Sequence, residues 1–265
     1  MNRTGYLKRP DCRLYYEVAG SGPPLVFAHG LGGNHLSWWQ QVAHFAKTHT
    51  CVVFAHRGFT PSTPVPGATA PDAYADDLAA LIQELDLDKV SLVAQSMGGW
   101  TCLEYALREP DRVRALVMAC TAGPINCSQL DTESFKDWLA RSQRITAELE
   151  ARDIGVASGE RMESEQPALA RLYRQIMQLT PAEFRGPVRV RLRELWVQDP
   201  ALLARLPMPV LFINGDEDWV FPPFAGAALA ALAPKGKAVR VAKAGHSVYF
   251  ERAAEFNRIV EEFLG

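Results

Sequence analysis

The sequence predicts an α/β fold: a mostly parallel sheet covered by helices on both faces and interrupted by a helical insertion. Three observations predict it. Short apolar runs alternate with amphipathic stretches, as they do when parallel strands are joined by crossover helices. One long stretch, 125–206, carries no convincing strand pattern. The loops that follow the apolar runs hold glycine, serine, aspartate and histidine, where ligand sites collect at one edge of such a sheet.

In chain order, residues 14–18 alternate and meet the turn residues Gly20, Ser21, Gly22, Pro23 and Pro24, which reads as a strand and its end. The run 25–28 is a short strand stopped by His29 and Gly30. Helical spacing over 38–46 is followed by the apolar run 51–55. From Pro71, the residues Tyr74, Leu78, Leu81, Ile82 and Leu85 recur three and four apart, with Asp72, Asp76 and Asp77 at the start, where acidic groups favour a helix N-terminus. Strand 90–94, helix 97–108 and strand 113–119 continue the rhythm. In 125–206 the composition turns to Arg, Glu, Leu and Met, and Pro167, Pro181, Gly186-Pro187 and Pro200 divide it into four short helices. The strand rhythm returns at 209–214, then helix 224–232, strand 238–241 and helix 249–264. The expected organisation is a core of 1–124 and 207–265 with a cap at 125–206.

Composition excludes several classes. Hydrophobic residues make up 48% and charged residues 22% of 265 positions, ordinary for a globular chain with a sizeable core. The net charge of −2 gives no field to attract nucleic acid or an anionic membrane. No apolar run approaches the roughly 18 residues of a membrane helix, and the N-terminus lacks a secretory pattern. Five cysteines at 12, 51, 102, 120 and 127 show no paired spacing, and 51, 102 and 120 lie in apolar runs. They read as reduced core residues in a cytoplasmic protein. The expected partner is a small-molecule substrate.

The chemistry concentrates at four loops. Ala94-Gln95-Ser96-Met97-Gly98 joins a predicted strand directly to a predicted helix, a sharp turn that lifts a serine hydroxyl above the sheet edge. It departs from G-x-S-x-G only in Ala94. Alone, the pattern also describes a serine that caps a helix, and the strand–turn–helix context favours the nucleophile. The helix that follows aims free N–H groups at the reaction centre. His29-Gly30-Leu31-Gly32-Gly33 can turn the Leu31 N–H inward to join the Met97 N–H around a developing oxyanion. Neither a GxxxxGK[ST] nor a GxGxxG pattern is present to suggest a phosphate cradle. Gly215-Asp216-Glu217-Asp218 and Gly245-His246 follow the last two predicted strands. Asp218 is favoured over Asp216 or Glu217 by its G-x-x-D spacing and by Pro222 four residues on. His246 stands at the one late junction that offers a base.

These residues resemble the α/β-hydrolase family over nearly the whole chain. The family's HG-x-G-G loop matches 29–33, its nucleophile elbow 94–98, its G-x-x-D acid loop 215–218 and its GH strand end Gly245-His246. A D-x-R-G-x-G-x-S pattern matches 55–62 but lacks its aspartate, Ala55 here, and its second glycine, Thr60 here. The resemblance implies an eight-stranded sheet with a helical cap after the sixth strand. It also implies a triad of Ser96, His246 and Asp218 with a Leu31–Met97 oxyanion hole. No metal or organic cofactor is needed for that chemistry. Gly30, Trp219, Val220 and Phe221 are expected at the substrate pocket. Trp38, Trp39, Trp100 and Trp138 read mainly as core. The basic run Arg185, Arg189, Arg191 and Arg193 reads as a solvated face from which one arginine can turn inward to a substrate carboxylate. The leading function is hydrolysis of a small, fairly apolar carboxylic ester or lactone. Hydrolysis of a carbon–carbon bond in a vinylogous diketone is the second reading, and a ligand-binding receptor without turnover is the third.

Overall fold

A computed structural model describes residues 3–63 and 70–265. Eight strands form one sheet: β1 (Arg3–Lys8), β2 (Arg13–Gly20), β3 (Pro24–Ala28), β4 (Thr50–Phe54), β5 (Val90–Gln95), β6 (Val113–Ala119), β7 (Val210–Gly215) and β8 (Gly236–Val241). Their order is β1-β2-β4-β3-β5-β6-β7-β8. β2 runs antiparallel to β1 and β4, and all other pairs are parallel. Every residue of β5 and β7 is buried, which is why these strands read as unbroken apolar runs.

Successive side chains point to opposite faces, so each strand feeds two cores. Val26, Ala28, Leu92, Ala94, Leu116 and Met118 face one way. There they meet α2 (Tyr74–Glu84), α3 (Gly98–Arg108) and α8 (Ala225–Leu232) through Leu78, Leu81, Leu103, Ala106 and Leu229. Leu25, Phe27, Val93, Val117 and Ile213 face the other way. They pack on α1 (Trp39–Phe45), α9 (Val248–Glu251) and α10 (Ala253–Leu264) through Phe45, Phe250, Phe256 and Val260.

Between β6 and β7 lie four helices: α4 (Thr132–Glu150), α5 (Gly159–Glu165), α6 (Pro167–Gln178) and α7 (Ala182–Glu194). The two ends of this insertion are tied together: Asn126 N–H donates to Gln198 O at 3.0 Å, and Gln198 N–H donates to Pro124 O at 3.0 Å. The chain therefore leaves the sheet and returns to it at one neck.

One strand was missed and three expectations are corrected. The edge strand β1 was not legible, because it buries only Leu7 and so shows no apolar run. Gly186-Pro187 does not divide α7, which carries Pro187 inside it. Proline removes one interior N–H donor, and here the bonds on either side hold the helix together. The break between α4 and α5 falls instead at 151–158, and α4 is long, at 19 residues. The expected helix 249–264 is interrupted at Arg252, whose backbone leaves the helical region (φ −126°, ψ 45°) while its guanidinium binds Lys243 O and Glu165. All five cysteines are free and buried. Among the described residues no helix is long and apolar enough to cross a membrane.

Candidate active site

The elbow forms where β5 ends. Ser96 has φ +48°, a left-handed conformation that a non-glycine residue occupies only under constraint. Its N–H donates to Ala119 O of the neighbouring strand at 3.1 Å. Small residues are required around it. A Cβ at Gly98 would overlap the Ala28 carbonyl oxygen, and one at Gly30 would overlap the Gln95 side chain and sit 3.1 Å from Ser96 Cβ. The 29–33 loop thus lies directly against the elbow. Ser96 is partly exposed.

The acid and the base meet on adjoining loops after β7 and β8. His246 Nδ1 donates to Asp218, at 2.9 Å from Oδ2 and 3.1 Å from Oδ1. Asp218 Oδ1 also accepts from the N–H groups of Val220 (2.7 Å) and Phe221 (2.8 Å). Both side chains are buried, so the pair is screened from water. Asp216 is exposed and binds Arg240, and Glu217 binds Arg161 of α5, so neither reaches His246. Gln95 Nε2 donates to His246 O at 3.1 Å and links the elbow to the histidine loop. Among the described residues the Ser96 hydroxyl forms no hydrogen bond with His246. Such contacts often close only when substrate is bound.

Leu31 and Met97 join one apolar cluster with Ala55, Phe59, Tyr74 and the α7 residues Val188 and Leu192. Neither the Leu31 nor the Met97 N–H donates to a partner among the described residues. His29 supports the Leu31 loop: its Nδ1 binds Gly30 O at 2.8 Å and its Nε2 accepts from His56 N–H at 3.0 Å. Burial pushes the His29 pKa down to about 3, so this ring stays neutral. The altered 55–62 pattern keeps a structural arginine. Arg57 is buried and grips Asp77 through Nε (2.6 Å) and Nη2 (2.7 Å).

The expected pocket residues separate. Gly30 lies against the elbow, beside Gln95 and Ser96. Phe221 packs into the main core cluster, because its N–H is drawn in by Asp218. Val220 is 41% exposed. Trp219 borders a cavity of about 390 Å³ with Leu149, Glu217, Gly245 and Glu251, and Ser96 is not among the residues lining it. Sequence reasoning missed how the insertion holds this loop. Trp138 Nε1 donates to Asp218 O at 3.2 Å, and the Ser142 hydroxyl donates to Trp219 O at 2.5 Å.

Cys120, Asp218 and His246 place three potential ligand atoms within 4.8 Å of one another. Burial, reinforced by the Asp218 charge, pushes the Cys120 thiol well up and keeps it protonated. With Asp218 and His246 Nδ1 already bonded to each other, the donors fit an acid–base pair better than a metal site. In the basic run, Arg191 pairs with Asp72 and Glu194, and Arg189 and Arg193 are exposed. Arg185 is half-buried, and its Nε donates to Thr180 O at 3.0 Å. Burial and the nearby Arg189 push its pKa down, and among the described residues no carboxylate pairs with it. The nearby Tyr173 hydroxyl is hydrogen-bonded to that of Ser247 at 2.9 Å, beside His246.

Residues 23–253 match the family described as alpha/beta hydrolase fold. The chain belongs to this family. It is 27% identical to 2-hydroxymuconate semialdehyde hydrolase of Pseudomonas sp. (strain CF600), over 95% of this chain and 90% of that one. Among solved structures, Est816, described as an N-acyl homoserine lactone degrading enzyme, superposes with a TM-score of 0.80 at 22% identity, covering 98% of this chain and 100% of that one. A mutant of a meta-cleavage product hydrolase (CumD) gives 0.75 at 20% identity, covering 98% and 97%. This α/β-hydrolase chain shares their sheet and the placing of helices around it.

Proposed function

We propose that the chain is a serine hydrolase that cleaves a small carboxylic ester or lactone through an acyl-enzyme on Ser96. The observation that carries this reading is the buried Asp218–His246 pair beside an elbow that holds Ser96 at φ +48°. Asp218 accepts the hydrogen bond of His246 Nδ1–H, which fixes the tautomer and leaves Nε2 as the base. Nε2 removes the Ser96 proton as Oγ attacks the carbonyl carbon. The oxyanion that forms is met by the free N–H groups of Leu31 and Met97, a donor pair worth a few kcal/mol each. His246 returns the proton to the leaving oxygen, and water then repeats the cycle to release the acid. Residues 125–206 act as the cap over this site, with 1–124 and 207–265 as the core. Gly30 and Trp219 bound the substrate region on the elbow and acid-loop sides.

Arg185 favours a second reading for the same machinery. A half-buried guanidinium without a protein carboxylate is suited to a substrate carboxylate, as in a vinylogous diketo acid cleaved at a carbon–carbon bond. The relatives named for semialdehyde and meta-cleavage substrates accord with it.

A fluorophosphonate probe tests the core of the proposal. Wild-type protein is expected to be labelled at Ser96, and His246→Ala to lose that labelling. Unlabelled, correctly folded wild type sinks the hydrolase reading and leaves the receptor reading. A panel of neutral esters, lactones and diketo acids then separates the substrate classes. Arg185→Met is expected to raise KM for the acids and leave neutral esters unchanged.

A further inference from the structure

Glu251 is a buried carboxylate that the chemistry above does not use. It closes α9, five residues after His246, and is 4% exposed. Its Oε1 accepts a 2.8 Å hydrogen bond from the N–H of Gly245, the residue before His246. The backbone of Glu251 is itself fixed: its N–H donates to Ser247 O at 3.0 Å and its carbonyl accepts from Gln166 Nε2 at 3.0 Å. The side chain therefore closes the 245–251 loop from which His246 projects. It also borders the cavity of about 390 Å³ under the acid loop.

The charges around it do not neutralise it. Among the described residues no salt bridge is made to its carboxylate. Arg252, next in the chain, binds Lys243 O and Glu165. Arg161 of α5 is committed to Glu217 and Glu165. Across the cavity, Arg152 pairs with Glu160, and Glu148 of α4 adds another carboxylate. Glu255 of α10 flanks the opposite side. Tyr173 of α6 and Cys120 after β6 interact with Glu251, and burial keeps both neutral. Asp218 and Glu217 face it from the acid loop. Burial first, and then these two carboxylates, push the Glu251 carboxyl up to about 7, against the Gly245 hydrogen bond and Arg252.

We propose that Glu251 is a positioning residue of the Ser96 site: its ionised carboxylate grips the Gly245 N–H, fixes the backbone that aims His246, and places a second negative charge behind the Asp218–His246 pair. This rests on the triad reading given above. The ionised form is the stronger acceptor for an N–H donor, and its charge stabilises the imidazolium that forms during turnover. The neutral acid loosens the loop and removes that charge. Two groups, His246 and Glu251, must then be deprotonated for full activity.

Hydrolysis of p-nitrophenyl acetate is to be followed between pH 4.5 and 9 for wild type and Glu251→Gln. The amide oxygen of glutamine still accepts from Gly245 N–H, so the loop survives while the charge and the titration are lost. Wild type is expected to show an acid limb in log(kcat/KM) that approaches a slope of 2. Glu251→Gln should give a slope of 1, with kcat lowered and KM little changed. A purely structural glutamate leaves the slope unaltered, and superimposable profiles would overturn the proposal. Nitrogen-15 NMR of the His246 imidazole supplies a readout that needs no turnover. Its Nδ1 and Nε2 chemical shifts are expected to differ between wild type and Glu251→Gln at pH 8, and identical shifts overturn the proposal. If no variant turns over any ester, the ester reading fails while the NMR comparison still decides the role of Glu251.

Discussion

Asp218→Asn separates catalysis from folding more cleanly than any other change at this site. In wild type, Asp218 Oδ1 holds the N–H groups of Val220 and Phe221 at 2.7 and 2.8 Å, and the carboxylate also accepts the Nδ1 proton of His246. Asparagine keeps one oxygen, and the two fixed backbone donors claim it. Its amide nitrogen must then face His246 Nδ1. An NH2 group can only donate, so Nδ1 becomes the acceptor and the ring proton moves to Nε2. That tautomer cannot take a proton from Ser96. In a serine enzyme where the same change keeps the geometry, kcat falls by about 10⁴, which is about 5.5 kcal/mol of barrier. The fold loses only the charge assistance on two hydrogen bonds, about 1–2 kcal/mol. Ester turnover and thermal unfolding are to be measured together, beside Asp216→Asn. Asp216 is exposed and holds Arg240 in a surface pair worth about 0–1 kcal/mol, so that variant is expected to keep its rate. An Asp218→Asn enzyme within tenfold of wild type, or an Asp216→Asn enzyme equally damaged, would refute the assignment of the acid.

Gly98→Ala is expected to cost about 1–3 kcal/mol of stability, read by denaturant unfolding, and to lower activity as well, because its Cβ meets the Ala28 carbonyl where α3 touches β3. Asp77→Ala strips the buried Arg57 guanidinium of its two-point partner and leaves the half-exposed Asp11, so about 3–5 kcal/mol should be lost in the same assay. Glu251→Gln is expected to raise the melting temperature relative to wild type at pH 8 and much less at pH 5. A carboxyl raised from 4.5 to about 7 favours the folded state while it is protonated, and this contribution is lost as pH rises through 7; at about 1.4 kcal/mol per pH unit it amounts to about 3 kcal/mol.

What was legible in the sequence follows from how local its cause is. Five of the seven strands read from the sequence, β3 to β7, are buried on both faces and show it as apolar runs, as in Val90–Gln95 and Val210–Gly215, whereas the less buried β2 was read from alternation. The elbow could be read because crowding against Ala28 and Thr121 confines positions 98 and 99 to glycine within a few residues of Ser96. β1 escaped because an edge strand with one buried side chain has no pattern to show. Phe221 was misplaced because the loop after the acid looks apolar in sequence, while its direction is set by where Asp218 draws the N–H groups. Gln95, Trp138 and Cys120 carry no local signal. Gln95 acts on His246, 151 positions away, and Trp138 on Asp218, 80 positions away. Only the folded sheet edge brings them together.

The features that suit the site to chemistry are also those that weaken the fold. A serine at φ +48° costs about 1–3 kcal/mol of backbone strain. Asp218 is buried, and its charge is tolerable because two N–H groups and the His246 ring share it. Among the described residues Glu251 is less well provided for: one N–H donor and no ion pair, with two carboxylates nearby. The insertion offsets part of this by locking both loops from outside. Trp138 and Ser142 hold the acid loop, Arg161 holds Glu217, and the Ser247 hydroxyl reaches Ala157 O at 2.8 Å. Glutamine at 251 removes this poorly compensated charge, so it should stabilise the protein at pH 8 by the same step that slows it. A stabilised variant with undiminished turnover would show that the buried charge does nothing for the base. A stabilised and slower one would tie the cost of that charge to the base it helps to aim.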